Sequence, residues 1–133
     1  MKPEGLRLDF KYGLTSQKKI AKTLLAFANT EGGQIIVGVS DEGKFIGIDP
    51  EEEMFMVSEA IRNYCHPSID VQFEVFEFNP SEEEIGQNEK YILIVNVPKS
   101  QTPPHLFVFN DDQPIYYKRS ADQSLPSVLP KND

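Results

Sequence analysis

The chain has 133 residues, of which 39% are hydrophobic and 26% charged, so it is bounded to one domain with a single core and an ordinary soluble composition. Its 21 acids against 13 bases give a net charge of −8, which argues against a protein that coats nucleic acid by bulk electrostatics. No apolar run approaches the roughly 18 to 20 residues of a membrane span, and the start of the chain lacks a signal-like apolar region. The single cysteine, Cys65, has no internal partner, so the expected setting is reducing, cytoplasmic and away from membranes.

Leu6, Leu8 and Phe10 alternate with Arg7, Asp9 and Lys11, the period-2 pattern of a half-exposed strand. Thr15 or Ser16 can cap a helix running from about Gln17 to Asn29. Ile20, Ala21, Leu24, Leu25 and Ala28 form its apolar stripe, while Lys18 and Lys22 share an outer face with Lys19 beside them. Gly32 can supply the left-handed residue that stops the helix, and Gly33 lets the chain reverse without a Cβ clash. Ile35, Ile36, Val37 and Val39 then read as a central strand covered on both faces. Residues 41–44 turn the chain into a short strand, Phe45 to Ile48.

Asp49 caps a second helix, with Pro50 and three glutamates in its first turn. Phe55, Val57, Ala60, Ile61 and Tyr64 are its expected buried side, and His66-Pro67 ends it. A long alternating strand follows from Ile69, then an acidic loop over residues 79–89. Residues 91–97 form a strand buried on both faces. After a proline-bearing crossing, residues 106–109 and 115–118 read as two more strands. Residues 120–133 are expected to be an extended or disordered tail to a single domain over 1–119. The order predicts an α+β domain, a mixed and largely antiparallel sheet with two helices packed on it.

Several chemistries are excluded. The Gly32-Gly33 pair precedes a strand, whereas dinucleotide and P-loop glycines follow one, and no Gly-Lys-Ser/Thr occurs. One cysteine and two histidines, His66 and His105, fall short of a zinc set, and both histidines read as solvated turn residues. No nucleophile elbow is present for Ser-His-Asp chemistry.

Two constellations remain. The carboxylates Glu4, Asp9 and Asp41, if convergent, could hold Mg²⁺ or Mn²⁺ and activate water against a phosphodiester. Glu4 and Asp9 have opposite strand parity, so they converge only if the strand starts late or Gly5 kinks the chain. The alternative is structural: Glu4 frays, Asp9 pairs with a base and Asp41 braces its turn. The second constellation is basic and aromatic: Arg7, Lys11, Lys18, Lys19 and Lys22, with Tyr117, Lys118 and Arg119. Cations neutralise phosphates and exposed tyrosines stack on unpaired bases. Residues 1–40 hold six bases against three acids, and residues 41–133 seven against eighteen, so any anion-binding surface is local and falls in the first third.

The residues Glu4-x4-Asp9-Phe10-Lys11, Ala26-Phe27-Ala28-Asn29-Thr30-x-Gly32-Gly33, Ile36-Val37-Gly38-Val39-x-Asp41-x-Gly43 and Gly47 together resemble the Schlafen-type AlbA-like domain. The resemblance is dense over residues 4–47 and thinner through His66-Pro67, Pro103-Pro104 and Tyr116 to Arg119. It implies the same α+β architecture and a DNA- or RNA-binding module without an obligatory organic cofactor. Vertebrate Schlafen proteins act as ribonucleases through acids in these positions, which implies Glu4, Asp9 and Asp41 as catalytic metal ligands. Asp9 is one methylene shorter than the glutamate more usual there. A metal-dependent ribonuclease and a protein-interaction or homodimerisation module are the alternatives to simple nucleic-acid binding.

Overall fold

The computed structural model describes residues 4–79 and 91–130; most of the acidic stretch over 79–89 lies outside the described residues. In chain order the elements are β1 (Leu8–Lys11), α1 (Gln17–Ala28), β2 (Gly33–Val37), α2 (Pro50–Tyr64), β3 (Cys65–His66), β4 (Gln72–Glu77), β5 (Tyr91–Val97), β6 (Leu106–Phe107), β7 (Tyr116–Ser120) and β8 (Gln123–Ser127). The main sheet has the order β1-β2-β5-β4. Only the β1–β2 pair is parallel, because α1 carries the chain back across the sheet between them; β2–β5 and β5–β4 are antiparallel. β3 pairs with β6, and β7 with β8, in two smaller antiparallel ladders. The domain is α+β, with two helices packed on a mixed, largely antiparallel sheet.

Ser16 caps α1, its hydroxyl accepting from the Lys19 amide. The helix ends at Ala28, and Gly32 takes φ +74° while its N–H donates to the Phe27 carbonyl at 2.7 Å. Asp49 caps α2 by accepting from the amides of Glu51 and Glu52. Ile20, Leu24, Leu25 and Phe27 of α1 meet Val57 and Ala60 of α2 and Ile35, Val37, Leu93, Val95 and Val97 of the sheet in the main core. Phe10, Ile36, Val39 and Ile92 make a second, smaller cluster joined by Leu8, Phe45 and Phe78. β2 therefore buries both faces, which its unbroken apolar run requires.

The structure corrects three local expectations, at residues 45–48, Phe55 and His105. Residues 45–48 form no strand: Phe45 and Ile48 make isolated bridges to Val39 and Tyr91, and the Ile46 and Gly47 amides both bond the Gly38 carbonyl. Gly38, Gly43 and Gly47 all have positive φ, which coils this segment instead of extending it. Phe55 is 62% exposed, since only Val57 and Ala60 of α2 are fully inside. The chain beyond Ser120 pairs antiparallel with β7 through Gln123 to Ser127. His105 is buried, while His66 stays exposed. Among the described residues no helix is long and apolar enough to cross a membrane.

Candidate nucleic-acid interface

The first turns of α1 carry Lys18, Lys19 and Lys22. Lys19 is exposed, and Lys18 and Lys22 are half-buried because aromatic rings lie beneath them. The Lys18 ammonium sits 3.5 Å from the centroid of Phe109; that of Lys22 lies 5.6 Å from Phe107 and 5.7 Å from Tyr117. These rings come from the chain around β6 and β7, which packs against α1 and so ends up under its lysine flank. Among the described residues no ion pair engages any of the three. A ring face attracts an ammonium without neutralising it, so the charge remains available to an anion.

The other basic and aromatic candidates divide. Arg7 is exposed just before β1, and Lys118 is half-buried in β7. Lys11 pairs with Asp9 at 3.2 Å. Tyr117 and Arg119 are corrections, because both are inside. Tyr117 is 6% exposed and meets Phe107 edge-on at 6.0 Å, so its ring has no free face for a base. The Arg119 side chain is 2% exposed. Its Nε donates to the Gly5 carbonyl at 3.1 Å, Nη1 to Ser124 Oγ at 3.0 Å and Nη2 to the Leu8 carbonyl at 3.3 Å. It also lies over the Phe27 ring at 4.7 Å and 3.9 Å from Asp9. Arg119 thus ties the N-terminal segment, β8 and the core together. Local sequence could not foresee this, because Gly5, Leu8 and Phe27, which surround the side chain, lie more than 90 residues away in the chain.

The carboxylates do approach one another. β1 starts at Leu8, and Gly5 folds back so that its N–H donates to the Leu8 carbonyl at 2.9 Å. That brings Glu4 over Asp9. Partial burial, a hydrogen bond with Asp9 and the charges of Asp9 and Asp41 push the Glu4 carboxyl up to about 7, against the opposing pull of Lys11. Asp41 lies exposed nearby. Among the described residues no three His, Cys, Asp or Glu side chains come together in a way that could hold a metal ion. Lys11 and Arg119 already set positive charge on Asp9.

The sequence reading missed what Asn29 does. Buried at the end of α1, its Nδ2 donates to the carbonyls of His105 at 2.8 Å and Tyr117 at 3.0 Å, while Oδ1 accepts from the His105 amide at 2.8 Å. Thr30 Oγ1 accepts from the Arg119 amide at 2.9 Å. His105 in turn bonds Ser100 Oγ at 2.6 Å and the Pro67 carbonyl at 2.8 Å. A carbonyl cannot donate, so Nδ1 carries the proton it gives to Pro67. The only signal in the sequence was the position of Asn29 one turn before a glycine stop, and that reads as an ordinary cap. These bonds make the Asn-Thr pair a bracket that holds the C-terminal strands against α1.

A two-helix α+β domain, a parallel β1–β2 pair closed by a glycine turn and a lysine flank over aromatic rings define the class. The family model described as Schlafen, AlbA_2 matches residues 4–127, and the chain belongs to that family. Among curated proteins no significant match is found. Among solved structures, the DIP2311 protein from Corynebacterium diphtheriae is similar, with a TM-score of 0.55 at 19% identity. That likeness covers 92% of this chain and 22% of the other, so the chain spans only a minor part of that protein's length and the likeness concerns fold alone.

Proposed function

We propose that this domain binds nucleic acid through phosphate contacts along α1. The observation that carries the reading is the trio Lys18, Lys19 and Lys22: three cations on one helix flank, with no carboxylate partner among the described residues and two of them seated over rings. Lys118 and Arg7 add charge elsewhere on the surface. With a net charge of −8, the rest of the molecule repels a polyanion, so binding would be local and oriented toward this flank. Family membership supports a nucleic-acid role in the same direction.

Fluorescence anisotropy with a labelled single-stranded oligonucleotide tests it. Wild type is expected to bind with an affinity that falls steeply with salt, each neutralised phosphate adding about 0.7 to the steepness of the log–log plot for a single strand. Lys18→Glu/Lys19→Glu/Lys22→Glu is expected to abolish binding while remaining folded. Unchanged affinity in the folded triple variant would remove this surface from the reading. Salt-independent capture of a protein partner, or of a second copy of this chain, would favour the interaction module instead. Mn²⁺-dependent RNA cleavage abolished by Asp41→Asn would favour the nuclease.

A further inference from the structure

At the end of the sheet away from the Ser40–Lys44 turn, a groove of about 450 Å³ opens between β1, β2 and β5. Its walls carry two cations from distant parts of the chain, Arg7 before β1 and Lys99 after β5, with Glu31 beside Lys99 and Leu8 between the walls. The double glycine brings these walls together. A Cβ on Gly32 would stand 2.7 Å from the Lys99 amide nitrogen, and one on Gly33 would stand 2.8 Å from the Arg7 carbonyl oxygen. Gly32 and Gly33 thus press their bare backbones against the backbones of the two basic residues, one on each side.

The floor is a row of side chains on a single face of the sheet. Leu8, Gln34 and Asn96 are cross-strand neighbours in register, so all three point the same way. Gln34 Nε2 donates to Asn96 Oδ1 at 2.7 Å. That bond leaves Gln34 Oε1 to accept and Asn96 Nδ2 to donate, an acceptor and a donor on either side of the bonded amides and beside an apolar side chain. The Watson–Crick edge of every nucleobase presents both a donor and an acceptor, and that edge is open only when the base is unpaired. The volume falls within the range of small-ligand sites, about 300 to 1,000 Å³.

We propose that this groove seats one unpaired nucleotide, its phosphate between Arg7 and Lys99 and its base edge on the Gln34–Asn96 amide pair. Lys99 pairs with Glu31 at 3.8 Å, both side chains being more than half exposed, and a phosphate bearing greater charge displaces so loose a partner. The proposal deepens the nucleic-acid reading and rests on it only in that the ligand carries a phosphate; Lys18, Lys19 and Lys22 line no part of this groove. The same chemistry is met by a free mononucleotide and by an unpaired nucleotide within a strand.

Two-dimensional NMR of ¹⁵N-labelled protein, titrated with 5′-AMP, adenosine, a single-stranded dodecamer of deoxyadenosine and its duplex, tests the assignment. The Gln34 and Asn96 side-chain amides and the Gly32 and Gly33 backbone amides are expected to shift with 5′-AMP or the single strand and not with the duplex. Adenosine, lacking the phosphate, is expected to bind at least about tenfold more weakly than 5′-AMP. Arg7→Ala/Lys99→Ala alters two exposed side chains and is expected to weaken the responding ligand at least about tenfold. The triple α1 variant should leave 5′-AMP affinity within about twofold, because the sites are independent. Shifts with the strand alone assign the nucleotide to a polymer, and shifts with both assign it to either source. If neither ligand moves these amides, or if Arg7→Ala/Lys99→Ala leaves affinity unchanged, the groove assignment is overturned, even where the oligonucleotide still binds α1. Groove shifts that survive alongside strand binding unaffected by the triple variant would instead sink the α1 surface and leave the groove standing.

Discussion

Replacing Asn29 by alanine removes three buried hydrogen bonds at once and leaves their partners with nowhere to turn. The His105 amide loses its acceptor, and the carbonyls of His105 and Tyr117 lose a shared donor. An unsatisfied buried amide costs about 1–3 kcal/mol, and an under-satisfied carbonyl, with two lone pairs, costs less. Summed over the three groups, the loss is roughly 2–4 kcal/mol, a large share of the 5–15 kcal/mol typical of a domain. For a chain of this size that lowers Tm by roughly 8–15 °C. Urea unfolding of wild type and Asn29→Ala measures it, with the slope m unchanged if the native fold is retained. Asn29→Asp should be no better than alanine, because a carboxylate faces two carbonyls without a proton to give. A loss below about 1 kcal/mol in both variants would refute the bracket and return the Asn-Thr pair to a surface or ligand role.

Two further outcomes follow from single residues. Gly32→Val places a β-branched side chain at φ +74° with its Cβ 2.7 Å from the Lys99 nitrogen, so thermal melts should show a loss of at least about 1–3 kcal/mol; no loss would mean the backbone there is free to relax. Glu4 has its carboxyl raised from 4.5 to about 7 by burial and by its hydrogen bond with Asp9. The folded state therefore holds the proton more tightly than the unfolded chain. Its contribution is complete below about pH 4.5 and is lost as pH rises through about 7, so stability falls across that window. Solvent screening of this partly exposed group keeps the effect small, and Glu4→Gln should flatten it in melts run from pH 4 to 8. An unchanged pH profile in the variant would assign the slope to another group.

Much of the fold was legible because it follows from local rules. The apolar stripe of α1 and the serine and aspartate caps needed no knowledge of distant partners. Nor did the glycine stop or the doubly buried run of β2, which is where the AlbA-like resemblance is densest. Sequence misjudged the segments whose environment is supplied by remote chain. Residues 45–48 have the composition of a strand, yet Gly47 within the segment, Gly43 just before it and two bonds to the Gly38 carbonyl coil them.

The site divides along the same line. Sequence determined the residue types: lysines at helical spacing on α1, acids near β1 and in the turn after β2, a double glycine closing a helix. Tertiary structure decided what each could reach. It placed Phe107 and Phe109, separated by about 80 to 90 residues from the α1 lysines, beneath two of them. It drew Arg119 inside to bond Gly5, Leu8 and Ser124, and set Gln34 beside Asn96 across the β2–β5 pair. A side chain's chemistry is written in one residue. Whether it meets solvent, a ring or a carbonyl depends on strands that pair over long separations, and that was settled only when the sheet closed.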